Sequence, residues 1–294
     1  MDFLVYIGFR TFVWFINRLP LNLALTLGAM AGAVAFRLYG RRRRMVVDNI
    51  MRAFGGQFSE EEAFSVARSF YRKMGLSIVE FARSERNEKG YIEGNVSFEG
   101  LENIVAALKG GKGVVLLGAH LGNWELLSAS LSSKGYAMSI VARPLDNPYI
   151  DSYAARARTV FGNKVIDKKR ALRKMMEVLK DNGILGILLD QRSGRKESVV
   201  VDFFDIPARA SKGLAAIVMK THSAVLPTFI HREGLSKHRV IVKGPIDVVS
   251  TGDKDADIKE NTQRFTGAIE GFIRKHPEEW FWFHSRWEKR KKGL

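Results

Sequence analysis

Residues 113–127 read "GVVLLGAHLGNWELL", and the way this run divides decides the fold. The apolar stretch 114–117, bounded by Gly113 and Gly118, has the length and composition of a strand buried on both faces. His120 follows it and Glu125 stands five places further on. In a continuous helix a step of five residues turns through about 500°, so the two side chains would not share a face. They can meet only if the chain turns between them, with His120 on a loop and Glu125 in the first turn of a new helix. Gly122 permits such a turn and Asn123 suits the helix N-cap, so the run is expected to be strand, loop and helix in succession.

Outward from this run the same alternation continues. Short β-type runs at 96–100, 136–143, 184–190, 198–204, 224–233 and 238–248 are separated by helix-type stretches at 147–161, 168–182, 210–221 and 255–276. Upstream, Ser59 followed by Glu62 forms a capping box ahead of an amphipathic helix. The expected class is α/β: a mixed, largely parallel central sheet flanked by helices. Ligands of such sheets gather beyond the carboxyl ends of the strands. His120 and Asp190 both follow apolar runs, which places them at one edge.

The chain has 294 residues, a formal net charge of +16 and no cysteine. That excludes disulfides, Cys-ligated zinc and a thiol nucleophile, and it calls for a polyanionic partner such as an anionic bilayer, an acidic carrier protein or nucleic acid. No nucleic-acid-binding motif is recognisable, so nucleic acid is not the expected partner. The N-terminus favours a membrane. Between Arg18 and Arg37 lie eighteen uncharged residues, "LPLNLALTLGAMAGAVAF", at the short end of the ~17 to 25 that span a bilayer core. The preceding apolar stretch is interrupted by Arg10 and suits an interfacial helix, and the following "RLYGRRRR" suits anionic headgroups on the cytoplasmic side. The division expected is an anchor over 1–44 and one α/β domain over 45–294. Two core helices of a soluble protein are the plainer alternative, and Gly28 and Gly32 would serve close packing in either setting.

The His120/Glu125 pair has two readings. In one, the carboxylate fixes the imidazole tautomer while the other ring nitrogen takes a proton from a substrate hydroxyl, a Ser-His-Asp relay whose serine comes with the substrate. In the other, His120 merely ends a strand and Glu125 favours a helix N-terminus through the dipole. No second histidine stands at metal-ligand spacing, so no metal is expected.

The block "GAHLGNWE" resembles the His-x4-Asp/Glu motif of the glycerolipid acyltransferase superfamily, in the form found in the lipid A late acyltransferases. The likeness extends through "LPLNLAL", "VARPLDNPYID", "LLDQ", "VVDFFDIPARASKGLAAIVMKTHSAVLP" and "HPEEWFWFHSRWEKR", most of the chain. It implies transfer of a fatty acyl chain from acyl carrier protein or acyl-CoA to a hydroxyl of a lipid A precursor at the cytoplasmic face of a bacterial inner membrane, with no cofactor. His120 would be the general base and Glu125 would orient it. Arg143, Asp190, Gln191 and Asn123 would serve oxyanion stabilisation or substrate binding, with Asp190 placed to hold Arg143. Two departures stand out: Asp205 lies where glycine is common, and Ser211 where threonine is frequent.

Other acceptors (a lysophospholipid, an ornithine lipid or a mannosylated glycolipid) fit the same motif, and a thioesterase-like hydrolase would use the same base on water. His222, His231, His238, His276 and His284 carry weaker claims to catalysis. The terminal "WFWFHSRW" reads as an interfacial or buried aromatic cluster, and the basic runs at 168–174 and 288–294 as solvated faces or docking sites for an acidic partner.

Overall fold

The strand expected at 114–118 lies at the centre of the molecule. In the computed structural model, which describes residues 2–167 and 171–287, β2 (Val114–Gly118) is buried along its whole length. It belongs to a seven-stranded sheet ordered β1 (Val96–Glu99), β9 (His238–Val242), β8 (Ala224–Arg232), β2, β5 (Ile184–Leu188), β3 (Ser139–Ala142) and β4 (Lys164–Asp167). Every neighbouring pair is parallel except β8 with β9. A separate antiparallel hairpin joins β6 (Ser198–Phe203) to β7 (Ile206–Ser211).

Side chains of β2 alternate between two cores, as the two-residue period requires. Val115 and Leu117 face the larger one, with α3 (Gly40–Phe54), α8 (Ala171–Lys180), α9 (Gly213–Thr221) and α10 (Lys254–Lys275). Val114 and Leu116 face the other, with α5 (Leu101–Leu108) and α6 (Trp124–Ser133). Helices on both faces explain why the central strand reads as an unbroken apolar run.

A 36-residue helix, α4 (Glu60–Asn95), begins at the expected capping box: Ser59 Oγ accepts from Glu62 N and the Glu62 carboxylate accepts from Ser59 N. At about 54 Å it is the longest element and ties the sheet to the N-terminal helices. These are α1 (Asp2–Arg18) and α2 (Leu21–Leu38), which form a third apolar cluster with α4 and Tyr153 of α7 (Pro148–Thr159). The expected boundary at 44/45 falls inside α3, and Phe36 at the end of α2 already belongs to the large core.

Two elements escaped the sequence. The stretch 164–167 forms edge strand β4, and the first residues assigned to a helix at 210–221 are the end of β7, with α9 beginning at Gly213. The basic run at 288–294 and residues 168–170 of the other lie outside the described residues. Phe204 and Asp205 form the turn of the β6–β7 hairpin, both left-handed at φ 55° and 56°. A left-handed turn position is one that glycine adopts freely, and here Asp205 holds it.

Candidate active site

Parallel pairing of β2 with β5 sets Gly118 opposite Leu188. The ladder runs one bond further, Leu189 N to Gly118 O at 3.2 Å. His120 and Asp190 each lie two residues past that pair, so the sheet itself brings them together. His120 Nδ1 stands 2.9 Å from Asp190 Oδ1, and Trp280 Nε1 donates to Asp190 Oδ2 at 2.8 Å. Asp190 is 2% exposed and both its oxygens are engaged.

The loop between β2 and α6 is held from three sides. Gly122, at φ 61°, passes so close to the Ile230 carbonyl that a Cβ would collide with it. The C-terminal segment clamps the loop through Phe281 N to His120 O at 2.9 Å and Gly122 N to Glu279 O at 3.0 Å, with Leu121 bridged to Trp280. Asn123 caps α6 as expected, accepting from Leu126 N. Its amide also donates to Glu80 Oε2 on α4 at 2.8 Å. Glu80 is buried and additionally receives both terminal nitrogens of Arg232, His238 Nε2 and the Tyr91 hydroxyl.

The expected hydrogen bond between His120 and Glu125 is replaced by another pairing. Glu125 lies in the first turn of α6, as the spacing required, but its carboxylate is gripped by Arg158 at the end of α7: Nη2 at 2.5 Å from Oε1 and Nε at 2.9 Å from Oε2. The imidazole turns instead to Asp190, whose place is fixed by the ladder. Glu125 still acts on His120 through its charge. Arg143 is not held by Asp190 either, whose oxygens are taken. It is exposed and pairs with Asp146 at 3.2 Å.

Gln191 is where the sequence placed it, with Nε2 at 3.4 Å from His120 Nε2. The Trp124 and Phe281 rings flank the imidazole at 5.2 and 6.3 Å. Burial pushes the His120 pKa down, but the Asp190 charge and hydrogen bond, with Glu125 behind them, outweigh it and the net direction is up. Burial likewise pushes Asp190 up, and His120 with Trp280 brings it below the usual carboxylate value. Arg286, wholly buried over the Phe203 ring, is brought down to about 10 by burial.

One hollow borders this edge and a second lies among the N-terminal helices. The first, of about 360 Å³, lies on the Glu125 side, lined by Asn123, Arg158, Arg83, Tyr91 and Glu80. The other, about 740 Å³, is apolar and runs among α1, α2 and α4 to Phe283. Among the remaining histidines, His238 is buried against Glu80, His231 stacks on His276, His222 caps α9, and His284 Nε2 accepts from Arg192 N beside the site. His276, Glu278 and Glu279 bring ligand atoms within 4.8 Å of one another, and Lys73 Nζ lies 2.7 Å from both carboxylates and offsets part of their charge.

Sequence reasoning missed Arg158, Glu80 and the role of Trp280. Trp280 and Glu279 lay in the "HPEEWFWF" segment that carried the family likeness; Arg158 and Glu80 left no local signal, because their importance comes from helix packing.

A largely parallel sheet with a carboxylate-bound imidazole at its carboxyl edge is an enzyme's architecture. The chain belongs to the bacterial lipid A biosynthesis acyltransferase family, whose model matches residues 2–289, and it is an acyltransferase by that membership. It is similar to a lipid A biosynthesis palmitoleoyltransferase of Escherichia coli (strain K12), 24% identical over 283 residues that cover 96% of this chain and 90% of the relative. The lauroyltransferase of the same organism is 23% identical over the same coverage. A phosphatidylinositol mannoside acyltransferase of Mycobacterium tuberculosis (strain ATCC 25618 / H37Rv) is 28% identical over 191 residues, 64% of this chain and 58% of the relative.

Proposed function

We propose that the protein transfers a fatty acyl chain from a carrier thioester, on acyl carrier protein or coenzyme A, to a hydroxyl of a lipid A precursor at an anionic membrane surface. The observation that carries this reading is the His120–Asp190 contact. An ionised carboxylate only accepts, so it keeps the proton on Nδ1 and leaves the Nε2 lone pair available on a side chain that is 23% exposed. There Nε2 takes the proton of the acceptor hydroxyl as its oxygen attacks the thioester carbon. Collapse of the tetrahedral intermediate expels the thiolate, which recovers a proton from the imidazolium. Glu125 contributes as the fixed partner of Arg158 and as a negative charge near the imidazolium that forms. The Gln191 amide, 3.4 Å from Nε2, and the Arg158 guanidinium, whose charge acts on His120, are donors for the developing oxyanion.

Purified protein supplied with acyl carrier thioester and a lipid A precursor should yield the acylated lipid, and His120→Ala should lower the rate roughly 10²- to 10⁴-fold. Equal activity in that variant would remove the mechanism. A mannosylated glycolipid is the second acceptor to test, because of the match to the mannoside acyltransferase. Lipid profiles of cells lacking the protein separate the two, since each acceptor leaves its own under-acylated species.

A further inference from the structure

α2 is long and apolar enough to cross a membrane, yet its packing holds it against the body of the protein. It runs antiparallel along α4, with Gly28 on Gly75 and Val79, and Gly32 on the backbone of Tyr71 and Arg72. A Cβ at Gly75 would collide with the Gly28 carbonyl, so the two backbones are in contact with no side chain between them. The segment of α4 at this level carries Arg72, Lys73 and Glu80, and the last two are bonded to the sheet side of the molecule through Glu279 and Arg232.

α1 is bound at both ends. Asn147 Nδ2 donates to Asp2 O, the Tyr6 ring stacks on Tyr149 at 5.2 Å, and Phe9 meets Tyr153 edge-on. At its far end Asn17 Nδ2 donates to Ala82 O and Arg83 Nη1 to Ile16 O. A spanning helix needs about 30 Å of hydrocarbon around it. Neither helix could take up that position without drawing α4, α7 and their charges into the bilayer, or placing exposed Arg10 near its midplane.

The sides turned away from the body are nevertheless apolar and exposed: Leu4, Trp14 and Phe15 on α1, and Met30, Val34 and Leu38 on α2. Cations border them. The Arg18 guanidinium lies over Trp14 at 3.6 Å, and Arg41 and Arg42 are exposed in the first turn of α3, which holds no acidic residue and whose dipole adds to their positive potential. The 740 Å³ groove opens among the same helices, with Arg42 on its lining.

We propose that the α1–α2 hairpin is a one-leaflet membrane platform: it lies in the boundary between headgroups and acyl chains of an anionic bilayer, apolar side immersed and arginines at the phosphates, and does not cross. This rests on the reading of the protein as membrane-associated. It gives the groove direct access to lipid tails from the side.

The chain has no cysteine, so single cysteines can be introduced cleanly at exposed Asn22, Tyr39 and, on the α/β body, Lys109. With the full-length protein in sealed vesicles and a membrane-impermeant maleimide, Asn22→Cys, Tyr39→Cys and Lys109→Cys should all label from the same side. Labelling of Asn22→Cys only from the side opposite Lys109→Cys overturns the platform while leaving membrane association intact. Sedimentation with phosphatidylglycerol-rich vesicles tests the association itself, and its absence removes both. Fluorescence of Trp14 should be quenched by lipids brominated on their acyl chains, a loss abolished in Trp14→Phe; unquenched Trp14 in vesicle-bound protein also overturns the platform.

Discussion

Asp190 reaches His120 across seventy residues of sequence because β2 and β5 pair in register, Gly118 against Leu188, and each chain runs on by two residues. The contact therefore depends on backbone hydrogen bonds of the sheet more than on the loop that carries the histidine. The ionised Asp190 carboxylate favours the His120 tautomer with its proton on Nδ1.

The acid limb of the rate profile follows from that contact. In the proposed mechanism His120 acts as a neutral base, and Asp190 holds its pKa above the ordinary 6.5, so kcat/KM should fall as pH drops through a value above 6.5. Asp190→Asn removes the opposing charge and leaves burial, which lowers the pKa. The limb should move to lower pH while the plateau rate falls roughly 10²- to 10⁴-fold. A pH–rate profile of both proteins reads the two effects separately, and an unmoved limb would show that Asp190 does not govern the base.

Glu125 and Arg158 should behave as a unit. Each single replacement, Glu125→Gln or Arg158→Gln, leaves a charged partner in a site only 15–22% exposed, whereas the double variant leaves none. A double-mutant cycle on thermal stability should return a coupling of about 0.5–3 kcal/mol. If activity depends on Glu125 only through Arg158, the double variant is no slower than the worse single one.

Acid stability should be tied to Glu80. Burial pushes its pKa up, but the charges and hydrogen bonds of His238 and Arg232 outweigh this and hold it far below the ordinary 4.5. A depressed carboxylate contributes stability above its unfolded pKa, and that contribution is lost as pH falls below about 4.5 toward the folded value. Glu80→Gln should cost about 3–5 kcal/mol at neutral pH by leaving Arg232 buried without its countercharge, and should flatten the acid dependence. Urea denaturation across pH 3 to 7 measures both.

Asp205→Gly tests the departure from the glycine common at that turn. With φ at 56°, glycine relieves a left-handed residue but loosens the unfolded chain and removes the 3.4 Å contact to Arg274. These oppose one another, so stability should change by less than about 1 kcal/mol, with kcat unaffected.

The sequence disclosed those parts of the molecule whose causes are local. β2, buried on both faces, and β5, buried in its first two residues and half-buried beyond, read as apolar runs, and the Ser59 and Asn123 caps act within one turn. β4 was missed because it is a four-residue edge strand with a single buried position, and β7 because Pro207 lies inside it. The expectation that Glu125 is the partner of His120 came with the resemblance to the His-x4-Asp/Glu motif. The choice between two carboxylates is made by register and helix packing, which bring Asp190 under the ring and Arg158 onto Glu125. Register was the one clue available, since both His120 and Asp190 follow their apolar runs by equal steps.

The clamp from residues 279–281 bears on when the protein becomes active. The histidine loop is fastened by a stretch that follows it by some 160 residues, so the loop is synthesised well before its fastening. An incomplete copy lacks the indole that faces Asp190 and the amide that secures the His120 carbonyl. Such a copy holds His120 without that brace, so the proposed chemistry waits until residues 279–281 have been made.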